Sequence, residues 1–222
     1  MLVPLNIIEN EWQNIKEGVK TAHHDFHSFV LSTIRDNNPE SRTVILRFFN
    51  ENDPSIGFHT DKRSKKLLDI KNNKEICALF YDRSRRIQLR MNGIGSIEEE
   101  DRSTKEIWKS MRSESKLCYM GPYAPSELID QYRPNTINKS AQEIDQNDDL
   151  LGYSRFCRVK ITINRLDWLL LDHKGHKRIK FNFDEKIKAR WLASYRSVMV
   201  RYFLCYLIDQ DEWPARYTII AF

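Results

Sequence analysis

Cysteine is scarce, with four in 222 residues (Cys77, Cys118, Cys157 and Cys205), and no two stand in a CxxC spacing. That excludes the short-range metal and redox motifs, and the apolar surroundings of three of them point to buried, reduced thiols. The glycine-rich phosphate loops are missing as well: there is no GxxxxGK[ST] and no GxGxxG, and Gly93-x-Gly95 reads as a strand feature or bulge. The N-terminus, MLVPLNIIENEW, has neither a basic n-region nor a long apolar stretch, so no signal peptide is expected. Residues 187–206 are apolar but interrupted by Lys188, Arg190, Arg196 and Arg201, which argues against a membrane span. There is no internal repeat and no low-complexity tract. The expectation is a cytoplasmic protein with no membrane partner.

What is present is ordinary in bulk and unusual in one place. Apolar residues make up 41% and charged residues 30%, and the formal charge is +5. These values fit a soluble globular chain with one core and a modest preference for an anionic ligand. The unusual place is GFHTDKRSKKLLDIKNN, residues 57–73. Within it, His59, Thr60, Lys62, Arg63, Ser64, Lys65 and Lys66 crowd the point where a strand gives way to a helix. A helix N-terminus offers unpaired amides and a partial positive charge. Cations in a first turn oppose that dipole, so an anion there would relieve the conflict. A solvated basic helix face is the bland alternative.

Other candidates are weaker. His23, His24, Asp25 and His27 lack a further placed ligand, and no metal site is expected. Glu98, Glu99, Glu100 and Asp101 read as a solvated strand end. In RTVILR, Arg42 and Arg47 stand at the two ends of one strand, and their spacing predicts opposite faces.

Periodicity predicts a helix over 9–22 and strands over 28–34, 42–49, 56–60, 76–82 and 86–99. Turns are expected at 36–41 and 50–55, and a helix from Ser64 to about Ile70. A second helix is expected over 101–111, capped by Asp101 or Ser103, with Glu106 at capping-box spacing from Ser103. Residues 121–150 are polar and read as an excursion inside the domain. Strands at 156–172 and 178–183 form a hairpin. Strands dominate, which favours an antiparallel barrel or sheet with flanking helices over βαβ units.

The blocks SRTVILRFF, GFHTDKRSKK, ALFYD and RRIQLRMNG, in that order and spacing, resemble the pyridoxamine 5′-phosphate oxidase-like family of flavin mononucleotide (FMN)-binding split barrels. WKSMRSESKLCYMGPYAPS, LDWLLLDHKGHKRIKF and ARWLAS extend the resemblance over most of residues 10–194. It implies a mainly β fold, a six-stranded Greek-key split barrel, in a single domain over 1–194. It also implies a homodimer with two FMN molecules at the subunit interface and no nucleic-acid partner. By motif position, Arg42, Thr43, Val44, Ile45 and Leu46 would line the flavin. Arg42, Lys65 and Lys66 would hold its phosphate with Thr60 and Ser64. His59 would also meet the cofactor, and Gln88 would bond the ring. Trp168 and Lys180 or Arg178 would close the site from the partner chain. The implied activity is oxidation of a small amine or alcohol with dioxygen as acceptor, and no protein nucleophile is required.

The family's substrate-phosphate positions fall near Arg47, Trp108, Arg112, and Ser115 or Lys116, where two of four residue types change. The late Arg-x-His element is altered too, to His176-Lys177-Arg178. Residues 195–222 match nothing in the family and read as an atypical C-terminal extension, packed on the barrel or irregular. Two other functions stay open: a non-catalytic flavin-binding protein, and a nucleic-acid-binding barrel that stacks bases on Phe58, Phe80 and Tyr81.

Overall fold

A computed structural model describes residues 3–183 and 187–194, so the 195–222 extension lies outside the described residues. In chain order, the elements begin with α1 (Pro4–Lys20), β1 (Ser28–Arg35), β2 (Asn38–Ile45), β3 (Phe48–Asn50) and β4 (Ser55–Asp61). They continue with α2 (Lys65–Asn72), β5 (Glu75–Asp82), β6 (Ile87–Glu98), α3 (Arg102–Ser110) and α4 (Ser113–Lys116). The last are α5 (Gln146–Arg155), β7 (Phe156–Leu170), β8 (Lys177–Phe183) and β9 (Ile187–Leu192). The strands make one antiparallel sheet of nine, where six were expected. Its main path runs β2-β1-β5-β6-β7-β4-β3, and β8 and β9 continue from β7. The fifteen-residue β7 creates the branch: Phe156–Thr162 pairs with β4, and Arg165–Leu170 pairs with β8.

Local chemistry fixes the register. The β1–β2 hairpin closes through Asp36 and Asn37, at φ 49° and 63°. Both values are positive, as a two-residue turn matched to strand twist demands, and Asn and Asp tolerate that region. The turn is therefore two residues long, and Pro39, expected in a turn, pairs with Ile34 inside β2. An edge strand accepts proline because its missing N–H faces no neighbour. Between β6 and β7 the register shifts at Asn92/Gly93. A side chain at Gly93 would collide with the carbonyl oxygen of Thr162, so the bulge requires glycine there.

The expected 42–49 strand breaks at Leu46. The Leu46 amide donates to the His27 carbonyl at 2.8 Å, and the Arg47 amide donates to Gly57 at 2.8 Å. The chain thus leaves β1 and joins β4 within two residues. Asp101 caps α3 as expected, but its box partner is Thr104, not a Ser103–Glu106 pair.

Alternation puts Phe29, Leu31, Ala78, Phe80, Leu89, Met91, Ile161 and Phe181 in one core, roofed by Ile8, Trp12 and Ile15 of α1. Phe80 lies between Phe26 and Phe29, with ring centroids 5.5 and 4.9 Å away. A second, smaller cluster holds Trp108, Tyr119, Met120 and Phe156 under α3 and α5. Of the described thiols, Cys157 is buried, Cys77 half-buried and Cys118 exposed.

Candidate functional site

The strand switch at Leu46 opens a cleft between the β2 edge and β4, and α3, α4 and the turn at Leu117–Tyr119 wall its far side. Its volume is about 620 Å3, within the usual range for small-ligand sites. Arg42, Thr43, Val44, Ile45, His59, Thr60 and Lys66 line one side; Ile107, Ser110, Met111, Arg112, Ser115, Cys118 and Tyr119 line the other, and Arg47 joins them. That lining carries four cations, Arg42, Arg47, Lys66 and Arg112, and no carboxylate. Because the chain turns after Ile45, Arg42 and Arg47 share one cleft, correcting the expectation of opposite faces.

At one end, Lys66 Nζ donates to Thr60 Oγ1 at 3.0 Å, and Ser64 Oγ lies 3.3 Å from the same hydroxyl. Ser64 is the N-cap residue of α2, yet its hydroxyl makes no bond to the helix amides. The Leu67 amide donates to the Ser64 carbonyl at 3.0 Å, and the Lys65 and Lys66 amides before it keep their donor capacity for something else. Burial, and next the Arg42 charge, lower the Lys66 pKa; burial also lowers that of Arg42. Both cations are thus held where an anion would stabilise them.

His59 packs edge-on against Phe156 at 5.1 Å. Burial first, then the charges of Arg47 and Arg158, push it down to about 4. It is a neutral imidazole at pH 7, able to donate or accept one hydrogen bond but not to supply charge. A histidine favoured neutral in the fold contributes its full stability above its unfolded value of about 6.5. That contribution is lost as pH falls from there toward 4. Denaturant midpoints should decline across that window, and His59→Gln should flatten the decline; an unchanged slope would refute the shift.

Several other residues expected at the site lie elsewhere. Leu46 is fully buried in the core and does not reach the cleft. Lys65 is exposed and outside the lining, because it points away from the side of α2 that carries Lys66. Trp108 is 3% exposed and forms part of the second cluster, with its indole N–H 3.2 Å from the Asp149 carboxylate. It supports the wall rather than facing a substrate.

Trp168 is also buried and donates to Glu11 at 3.2 Å, outside this cleft. Gln88 and Lys180 are half-buried on the sheet, away from this cleft. Arg178 is locked to Asp167 at 2.5 Å, with Arg90 on the same carboxylate at 2.6 Å. Phe58 and Phe80 are fully buried, which removes two of the three rings offered for base stacking. His27 Nδ1 is 2.7 Å from the Gly18 carbonyl, and His24 Nδ1 accepts from the Phe26 amide, so both rings serve local structure. Among the described residues no cluster could hold a metal ion, and no helix is long and apolar enough to cross a membrane.

The sequence reading missed Asp69 and Thr33, which stand behind Arg42 and not in the lining. One signal existed: an acid set between Leu67 and Ile70 on the buried face of a short helix.

Residues 9–98 match the family model described as pyridoxamine 5′-phosphate oxidase, FMN-binding domain. The chain is 28% identical over 186 residues to pyridoxine/pyridoxamine 5′-phosphate oxidase 2 of Arabidopsis thaliana, covering 77% of this chain and 87% of that one. It is 26% identical over 200 residues to pyridoxine/pyridoxamine 5′-phosphate oxidase of Pelagibacter ubique, covering 87% and 91%.

Among solved structures, a pyridoxamine 5′-phosphate oxidase-related FMN-binding protein from Nostoc punctiforme superposes with a TM-score of 0.65 at 20% identity, over 87% of this chain and 99% of that one. PhzG from Burkholderia lata, solved with tetrahydrophenazine-1-carboxylic acid, gives a TM-score of 0.61 at 14% identity, over 85% and 91%. These two likenesses establish the split-barrel fold.

Proposed function

We propose that this chain, whose residues 9–98 belong to the pyridoxamine 5′-phosphate oxidase FMN-binding family, is an FMN-dependent oxidoreductase acting on a small amine or alcohol, with dioxygen as acceptor. FMN is the cofactor of the matched domain. One observation carries the placement: Arg42 of β2 and Lys66 of α2, distant in sequence, line the same end of one cleft beside Thr60 and the first turn of α2. A phosphate group fits that end, since it would neutralise both cations and occupy amides that Ser64 leaves open.

The middle of the cleft suits a flat ring. Val44, Ile45, Ile107 and Met111 give its lining apolar surface. β2 is an edge strand, so the backbone groups on its open side are available to a polar ring edge. Bound there, the flavin would supply the electron-accepting chemistry, while the protein orients it and sets the charge around it. Neutral His59 offers one directional hydrogen bond at the cleft wall. Arg47, Arg112 and Ser115 also line the cleft and would hold an anionic substrate group. We assign the protein to a homodimer in which Gln88 and Lys180, on the sheet surface, approach the partner's ring.

The test is direct. Fresh protein should be yellow with a flavin absorbance spectrum, and should turn over pyridoxamine 5′-phosphate with release of peroxide. Flavin without turnover of any small amine or alcohol would leave a binding protein. A colourless protein that takes up no FMN would overturn the whole assignment.

A further inference from the structure

Only the first turn of α2 reaches the cleft. Asp69 sits one turn further on, on the side facing β1 and β2, and is 2% exposed. An isolated carboxylate at that depth would be costly, and three donors compensate it. Arg35 grips it with Nε to Oδ1 at 2.8 Å and Nη2 to Oδ2 at 2.9 Å, and the Thr33 hydroxyl donates to Oδ2 at 2.9 Å. Burial pushes the Asp69 carboxyl up, but the bonds from Arg35 and Thr33 outweigh it and hold the group below the usual carboxylate range. The carboxylate is therefore ionised throughout the physiological range.

The direction of the Thr33 bond matters. A hydroxyl has one proton, and that proton is committed to Asp69. Its oxygen is then free only to accept, and it accepts from Arg42 Nη1 at 2.6 Å. The same nitrogen also donates to the Glu40 carbonyl at 3.1 Å, and Nη2 approaches Asp69 at 3.5 Å. Without the carboxylate, the Thr33 hydroxyl could turn, and the Arg35 and Arg42 charges would be left with only the more exposed Glu40 carboxylate, 3.4 Å from Arg35 and 3.8 Å from Arg42.

We infer that Asp69, acting through Thr33, is a positioning residue for Arg42 and so tunes the cleft for a phosphate-bearing flavin over one without phosphate. The inference rests on the assignment of the Arg42–Lys66 end to the FMN phosphate. Asp69 touches no ligand in this arrangement. It fixes the aim of a guanidinium that does, and it ties α2, which carries Lys66, to the strand that carries Arg42.

The test compares FMN with riboflavin, which lacks the phosphate, by quenching of flavin fluorescence in wild type, Thr33→Val and Asp69→Asn. Thr33→Val removes the relay but keeps the Arg35–Asp69 pair, so it serves if Asp69→Asn does not fold. FMN affinity should fall about tenfold in Thr33→Val and further in Asp69→Asn, as expected for one or two charge-assisted bonds. Riboflavin affinity should change by less than about twofold, because the lost contact is made only to phosphate. Equal weakening of both flavins would show a folding role only and overturn the inference, as would unchanged FMN affinity. Should wild type itself bind riboflavin as tightly as FMN, the phosphate assignment falls too; failure confined to the variants leaves that assignment standing.

Discussion

Replacing Arg42 and Lys66 together with alanine should give a colourless protein. Each side chain lines the same end of the cleft, and each is charged and partly desolvated. Charge-assisted hydrogen bonds contribute about 1.5–3 kcal/mol each, so losing two removes roughly 3–6 kcal/mol. That corresponds to a fall in FMN affinity of roughly 10²- to 10⁴-fold. Lys65→Ala is the matched control, since Lys65 is exposed and outside the lining, and it should retain flavin. Dialysis followed by absorbance reads both outcomes. A double variant that stays yellow would place the phosphate elsewhere.

Phe80→Ala should cause a large loss of stability with little change at the cleft. Phe80 is fully buried and touches two further rings of the core, while no part of it lines the cleft. Truncating a buried phenylalanine costs about 3–5 kcal/mol, from lost transfer energy and the cavity left behind. For a chain of this size the melting temperature should fall by roughly 10 °C. Flavin affinity of the folded fraction should stay near wild type. A denaturation midpoint shifted by less than about 1 kcal/mol would show that the aromatic cluster is not the centre of the core.

Strands β1, β5, β6, β7 and β8 were legible because one face of each is largely buried, which writes an apolar-polar alternation into the sequence; β2 and β3, with no fully buried position, read as one run. Where burial is weak, the signal goes. β9 is exposed at nearly every position, so it exists only through its pairing with β8 and carries no pattern of its own. α5 buries only Gly152 and is set by its cap, Asp145 with Asp148, inside a stretch that reads as polar loop.

The site divides the same way. The cations of residues 57–66 raise an anion site beside the alternative of a solvated helix face, and Arg42 joins them only through the resemblance in motif order. Asp69 gave no such notice, because its partners Thr33 and Arg35 lie 36 and 34 residues away. Trp108 was placed by motif position at a ligand contact. The structure instead uses its ring as filling and its N–H as a tether to Asp149, which a position in a motif cannot reveal.

The cleft has two walls, and each belongs to a different packing unit. Arg42, Val44, Thr60 and Lys66 stand on the barrel, whose core is continuous from α1 to β8. Ile107, Met111 and Tyr119 stand on the smaller cluster around Trp108 and Phe156. Repacking the smaller unit would therefore reshape one wall of the cleft, while its Arg42–Lys66 end stays fixed by the barrel and α2. Substitutions in the smaller cluster should thus alter what the cleft admits and leave its cationic end in place.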